Sequence, residues 1–276
     1  MPELPEVETI VRQLAEVLPG YRIRKVTIRR PKMVAGSTQR FRTDISGEKV
    51  LGVSRRAKII VISLSRPQFL VVNLGMTGQL LFSGPEDATS PPSHLALHFA
   101  LTPDASLYYA DVRRFGLLRV LSPSEWAAHS DSLGPEPLGK DISSKDFFLA
   151  LQTSRSPIRS WLLDQRRIAG IGNIYAAEAL YLSGLHPRRP AQSLGPRESK
   201  ALLAGIRKVL QKAIRARGTT LRDYRTASGE RGGFATALQV YGREGQECLS
   251  CKSTIVRIVF GNRSAFFCPR CQPEIP

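Results

Sequence analysis

Acidic residues are scarce in this chain. Only 23 Asp and Glu stand against 40 Lys and Arg in 276 residues, a formal net charge of +17. So large a surplus excludes a charge-balanced surface and points to a polyanionic partner. Long hydrophobic runs are missing as well, since no apolar stretch approaches the ~18 residues that a membrane span requires. A long polybasic tail and a basic amphipathic anchor are also absent, which argues against a lipid surface. The opening MPELPEVETI has neither the basic nor the apolar region of an export signal, so a cytoplasmic protein is expected. No repeat or low-complexity tract is present, and 42% hydrophobic residues are enough for real cores. The length allows two domains.

Cysteine occurs at four positions only, as two Cys-x-x-Cys pairs, Cys248/Cys251 and Cys268/Cys271, with sixteen residues between the pairs. Thiolates at this spacing can meet on one tetrahedral ion, giving a structural Zn2+ site with no position left open for chemistry. Two disulfides are the competing reading and need an oxidising compartment; a redox dithiol would need only one pair. Zinc together with basicity points first to nucleic acid.

The charge is unevenly distributed. Residues 1–150 hold 19 basic and 15 acidic side chains, whereas residues 151–276 hold 21 and 8. A helix is predicted over residues 5–18, where Val7, Ile10, Val11, Leu14, Val17 and Leu18 share one face and Pro5 suits the first turn. Short β-branched runs follow from about 21 to 121, including 58–64, 69–73 and 95–101, and they predict a β-sandwich or barrel. Residues 122–141 are rich in Pro and Gly and read as an interdomain linker. Helical patterns then cover 144–152, 157–165, 173–182 and 196–215, and residues 254–268 read as a β-hairpin between the cysteine pairs. The expected fold is a multidomain α+β protein with a β-sandwich and flanking N-terminal helix (1–125), a linker (126–141), a helical domain (142–224), a loop (225–237) and a zinc finger (238–276).

Three places have the residues for chemistry. Removal of the initiator Met would expose the secondary amine of Pro2, whose ordinary pKa near 8 leaves an appreciable free-base fraction at neutral pH. Such an amine can attack a sugar C1′ and form an iminium that acidifies the C2′–H. Glu3 and Glu6 lie close by for acid–base work. The same residues also suit an ordinary helix N-terminus, where acids are favoured. Arg166–Asn173 (RRIAGIGN) joins two predicted helices, with glycines that permit close backbone approach and Asn173 opening a helix whose amides could meet phosphate. Arg263 falls at the tip of the finger hairpin, suited to a groove or a phosphate, although alone it reads as a solvated arginine.

MPELPEVET at 1–9, NLGMTGQL at 73–80, DVRRFG at 111–116, GIGNIYAAEAL at 170–180, VYGREGQEC at 240–248 and the cysteine quartet stand in the order seen in bacterial formamidopyrimidine-DNA glycosylases. The chain resembles that family over nearly its whole length. The resemblance implies a β-sandwich domain, a helix–two-turns–helix domain and a zinc finger. It also implies excision of oxidised purines, chiefly 8-oxoguanine and formamidopyrimidines, from double-stranded DNA, with strand scission at the abasic site. By the same resemblance Pro2 is the Schiff-base nucleophile and Glu3 protonates the deoxyribose ring oxygen. Lys58 engages a lesion-flanking phosphate and assists elimination, while Arg263 serves phosphate binding and δ-elimination. Asn173, Arg155 and Tyr241 make further DNA contacts, and Glu6 lies with the DNA-binding set. Met76, Arg113 and Phe115 correspond to the trio that fills the space left by an extruded nucleotide, and residues 225–236 would close over the flipped base. One structural zinc, a monomer, and a bacterial nucleoid-associated location in the cytoplasm fit the family.

Two departures stand out. The family often has two histidines at x-H-x-H spacing before the 111–116 motif; here Pro92 takes the first place and His94 the second. A frequent lysine near the lesion aligns with Arg159. The alternatives are an endonuclease VIII-type enzyme for oxidised pyrimidines and a noncatalytic zinc-finger nucleic-acid binder.

Overall fold

The computed structural model describes residues 2–87, 90–260 and 263–274. It divides into two compact units, one comprising Met1–Ser132 with Ile214–Ala235 and the other Leu133–Ala213 with Thr236–Pro276.

The first unit opens with helix α1 (Leu4–Val17), followed by β1 (Arg22–Ile28), α2 (Thr38–Ile45), β2 (Val50–Arg56), β3 (Ile59–Leu64), β4 (Phe69–Asn73), β5 (Gly78–Ser83), β6 (Leu95–Thr102), β7 (Ala105–Asp111), β8 (Leu117–Leu121) and α3 (Pro123–Asp131). Two four-stranded antiparallel sheets form, ordered β1-β6-β7-β5 and β2-β3-β4-β8. They bury one core between them: Val26, Leu97, Phe99 and Leu107 come from one sheet and Ile60, Ile62, Leu70, Val72 and Leu118 from the other. The apolar face of α1, through Val7, Ile10, Val11 and Leu14, joins the same core. This is the sandwich that the alternating strands predict.

Two helices depart from the sequence-based expectation. α2 interrupts the all-β region; it is capped by Ser37, whose Oγ accepts from Arg40 N at 3.3 Å, and only Phe41 and Ile45 are buried. α3 occupies the start of the expected linker. Ser122 and Glu125 form a capping box around Pro123, with Ser122 N donating to Glu125 Oε2 at 2.8 Å. α3 buries none of its residues, so it carries no apolar stripe for periodicity to detect, although Ser-Pro-Ser-Glu is itself a helix-start pattern.

The second unit contains α4 (Ser144–Gln152), α5 (Ile158–Leu163), α6 (Asn173–Leu182), most of α7 (Pro196–Arg215) and a hairpin of β9 (Val256–Phe260) and β10 (Arg263–Phe267). The tip residues Gly261 and Asn262, expected to turn this hairpin, lie outside the described residues. Among the described residues no helix is long and apolar enough to cross a membrane.

The segment between α5 and α6 is closed by its own polar groups. Gln165 donates from Nε2 to Ile171 O at 2.8 Å and accepts Gly170 N on Oε1 at 2.9 Å, while Ile168, Ala169 and Ile171 are fully buried. Gly134 N donates to Gln165 O at 2.8 Å, and a Cβ at Gly134 would lie 2.6 Å from Arg167 C. Gly134→Ala must therefore push two backbone segments apart. It is expected to cost this unit ~1–3 kcal/mol, read as a lower melting transition in calorimetry.

Candidate active site and metal centre

The chain reaches α1 through a buried acidic turn. Pro2 is buried and Glu3 is 1% exposed. Glu3 is the N-cap of α1 and forms a capping box with Glu6; its N–H donates to Glu6 Oε2 at 2.8 Å. The other oxygen, Oε1, accepts Thr219 N at 2.7 Å from a segment more than two hundred residues later. Two backbone amides thus hold the 1% exposed Glu6 carboxylate. With both oxygens engaged, Glu6 ties the start of α1 to the segment at Thr219.

The distal segment is shaped for this carboxylate. Gly218 has φ +84°, and a Cβ there would sit 3.0 Å from Glu6 Oε1; a Cβ at Gly232 would strike Gly218 O at 2.3 Å. The Tyr224 hydroxyl has two carbonyl acceptors in reach for its one proton, Glu6 O at 3.3 Å and Arg217 O at 3.2 Å. Burial, then the Glu6 charge, pushes the Tyr224 phenol pKa well up. Further along, Gln13 Oε1 accepts Ala227 N at 2.8 Å and Phe82 N donates to Ala227 O at 3.0 Å. The loop expected at 225–237 is thereby tied to α1 and to β5.

Lys58 is half-buried in the turn between β2 and β3, after Ala57 at φ +54°. Arg55 anchors this turn to α1: its Nε donates to Glu8 Oε2 at 2.7 Å and one terminal nitrogen to Ala57 O at 2.9 Å. Burial, the largest influence on Glu8, raises its pKa, but the hydrogen bonds and charges of Arg55 and Arg12 together outweigh it and hold the carboxyl below its ordinary range.

Met76, Arg113 and Phe115 stand on two adjacent connections that cross between the sheets, β4 to β5 and β7 to β8. Asp111 binds these together. Its Oδ1 accepts Thr77 Oγ1 at 2.5 Å and Arg113 N at 3.1 Å, and its Oδ2 accepts Gly116 N at 2.9 Å. Gly75, at φ +59°, lets the connections touch, since a Cβ there would lie 2.6 Å from Gly116 N. Met76 is 37% and Phe115 59% exposed, and the Arg113 guanidinium lies 4.9 Å from the Phe115 ring centre. His94 is exposed at φ +59°, and its carbonyl accepts Asp111 N at 3.2 Å, beside these connections.

In the second unit the structure brings Asn173 next to the finger. Asn173 Nδ2 donates to Ser264 O at 2.9 Å. Arg159, 3% exposed, donates from one terminal nitrogen to Asn173 Oδ1 at 2.6 Å and to Ser264 O at 3.0 Å, and its guanidinium lies 5.2 Å from the Phe260 ring centre. Burial and then the nearby Arg263 charge depress its pKa. Arg263 is the exposed first residue of β10. Arg159 is thus a buried clasp between α5, α6 and the finger. Arg155 is exposed between α4 and α5, outside this cluster. Tyr241 is half-buried, edge-on to Phe266 at 5.1 Å.

Glu178, absent from the sequence-based set, carries the loop that bears Tyr241. Its carboxylate, 1% exposed, accepts the N–H groups of Gln239, Val240 and Tyr241 at 2.9–3.0 Å. Burial raises its pKa against the pull of those amides. The signal was a single acid inside the apolar run NIYAAEALYL, where a carboxylate requires partners.

The four cysteine Sγ atoms lie within 4.8 Å of one another. Zinc at ~2.3 Å from each sulfur would set them roughly 3.8 Å apart, so the group fits one ion that staples the finger. Tyr181 Oη lies 3.3 Å from Cys248 Sγ and 2.8 Å from Ser250 Oγ. With Cys248 held as a thiolate, the phenol donates to sulfur and Ser250 donates to the phenol. Gln272, fully buried, donates to Leu185 O at 2.8 Å and accepts Cys268 N at 3.0 Å. Tyr181→Phe is expected to speed zinc loss to a colorimetric chelator by ~10-fold or more; an unchanged rate would remove the phenol from the metal's support.

Models of the formamidopyrimidine-DNA glycosylase N-terminal domain, its H2TH domain, and the zinc finger found in FPG and IleRS match residues 1–118, 133–225 and 245–273. A formamidopyrimidine-DNA glycosylase of Chloroflexus aurantiacus is 44% identical, covering 99% of this chain and 98% of its own. Among solved structures, a Lactococcus lactis FPG mutant in complex with Fapy-dG-containing DNA superposes with a TM-score of 0.92 at 33% identity, covering 99% of this chain and all of that one. The wild-type Lactococcus lactis FPG with DNA containing an oxidised pyrimidine gives 0.91 at 32%, with the same coverage. The sandwich, the helical unit, the cysteine-stapled finger and these similarities together establish that the chain belongs to the formamidopyrimidine-DNA glycosylase family, the DNA glycosylases of base-excision repair.

Proposed function

We propose that this protein excises oxidised purines from duplex DNA and then cleaves the strand, with the secondary amine of Pro2 as nucleophile. The observation that carries this reading is the buried acidic turn that fixes Pro2 and Glu3 at the head of α1. Once Met1 is removed, the proline nitrogen attacks C1′ of the damaged nucleotide and the glycosidic bond breaks, the base leaving with a proton. Glu3 protonates the ring oxygen as the sugar opens, giving a cationic iminium between Pro2 and C1′. Loss of the acidified C2′ proton expels the 3′ phosphate, and a second elimination expels the 5′ phosphate. Water then returns the proline amine.

The other residues serve grip and shape. Lys58, Asn173 and Arg263 take backbone phosphates, with Arg155, Tyr241 and His94 as further contacts. Met76, Arg113 and Phe115 enter the stack and occupy the space of the extruded nucleotide, where an apolar wedge replaces lost stacking and arginine serves the orphaned base. Residues 225–236 close over the flipped base. The DNA complexes of the Lactococcus lactis relatives support DNA as partner. A monomer in the bacterial cytoplasm suits this role.

Borohydride is expected to fix the full-length protein covalently to a duplex containing 8-oxoguanine, with mass spectrometry locating the adduct on Pro2. Acetylating the proline nitrogen should abolish both trapping and nicking. A protein that binds the damaged duplex but never traps would instead be a noncatalytic binder. Rates on 8-oxoguanine:cytosine and thymine-glycol duplexes test the lesion class: faster cleavage of thymine glycol would assign the enzyme to oxidised pyrimidines, as in the endonuclease VIII type.

A further inference from the structure

Strand β1 and helix α2 enclose a shallow cleft of roughly 370 Å³ on the first unit, lined in part by Arg24, Lys25, Thr27, Arg42 and Ser46. Between Arg22 and Thr43 the sequence has eight Lys and Arg and no Asp or Glu, although the first 150 residues are otherwise close to charge balance. None of Arg24, Lys25 and Arg42 pairs with an acid among the described residues. Soluble surfaces ordinarily intersperse the two signs, because like charges held together repel and raise the energy of the folded state.

The strand is also shaped to display these cations. On β1, Ile23 pairs with Leu101 and Lys25 with Ala100, so Arg24 is an extra residue without a partner on β6. A bulge of this kind re-aims side chains. Both Arg24 and Lys25 consequently face solvent, between buried Ile23 and Val26, where regular alternation would have turned one of them inward. The bulge is about five residues along β6 from Leu95, whose partner Ala110 leads to the 112–116 connection. At ~3.3 Å per residue the bulge lies roughly 17 Å along the strand from the Leu95 end of β6.

We propose that this cleft is a second track for the sugar–phosphate backbone of duplex DNA, gripping undamaged sequence away from the lesion chemistry. The proposal rests on the DNA reading above. Guanidinium and ammonium groups on an extended, water-facing edge suit a line of phosphates, and such contacts carry no base specificity.

The test compares zinc-loaded, full-length protein with the triple variant Arg24→Gln/Lys25→Gln/Arg42→Gln on a lesion-free duplex. A second variant, Arg197→Gln/Lys200→Gln/Lys208→Gln on α7, removes the same charge elsewhere. The slope of log binding constant against log salt is expected to fall by ~2–3 in the cleft variant and by less than half of that in the control. Single-turnover excision of 8-oxoguanine at saturating protein should stay unchanged, which keeps the catalytic reading separate from this one. An unchanged slope, or an equal fall in both variants, would overturn the track. Slower excision at saturation in the cleft variant would also overturn it, by placing these cations in the lesion site.

Discussion

The carboxylate of Glu6 is the interaction that joins the start of the chain to the 217–233 segment in the first unit. It is a charge out of water, and it persists there because two backbone N–H groups replace its hydration. Those amides belong to the first residues of the chain and to a segment that follows the last long helix. Without the carboxylate, Thr219 N would be a buried donor without this acceptor and Glu3 N would lose its cap. Placement of the proposed nucleophile and placement of the 217–233 segment thus share one carboxylate. The glycines at 218 and 232 are required at this joint because a side chain at either would meet the carboxylate or the backbone.

The second unit solves a similar problem with one helix. α6 begins at Asn173, which reaches β10 through Ser264 O; in its middle Glu178 holds three amides of residues 239–241; near its end Tyr181 meets a cysteine sulfur. A helix rises ~1.5 Å per residue, so these three anchors lie within a span of roughly 12 Å. The finger is fastened along that length by polar groups whose partners are fixed, and the apolar contacts of Ala177, Tyr181 and Ile255 fill the remainder.

Much of this was legible before the fold was known. The apolar faces of α1 and α7, the strands β3, β4 and β6, and the metal quartet follow from period and spacing, because each buries a continuous stripe or satisfies one ion. α2 and α3 escaped because they bury little, and local capping rather than core contact holds them. The site was readable in its residue types and not in its joints. Glu6 looks like an acid from sequence and becomes an anchor only when Thr219 arrives beside it. Arg159 reads in the sequence only as the replacement of a lesion-side lysine, and its contacts with Asn173 and Ser264 emerge from the fold. Asp111 likewise acquires its role from the Thr77 hydroxyl on the neighbouring connection. Each of these depends on pairings across tens or hundreds of residues, which no local pattern encodes.

The finger hairpin has only two strands, and such a ribbon is marginal in water and free to slide along its partner. A slide of one residue would turn every side chain to the opposite face and swing Arg263 with it. The cysteine pairs that flank both strands at the open end of the ribbon and the Arg159 clasp on Ser264 O oppose that movement. Metal and guanidinium thus act as a ratchet pawl: they do not make the hairpin, but they decide which way Arg263 looks.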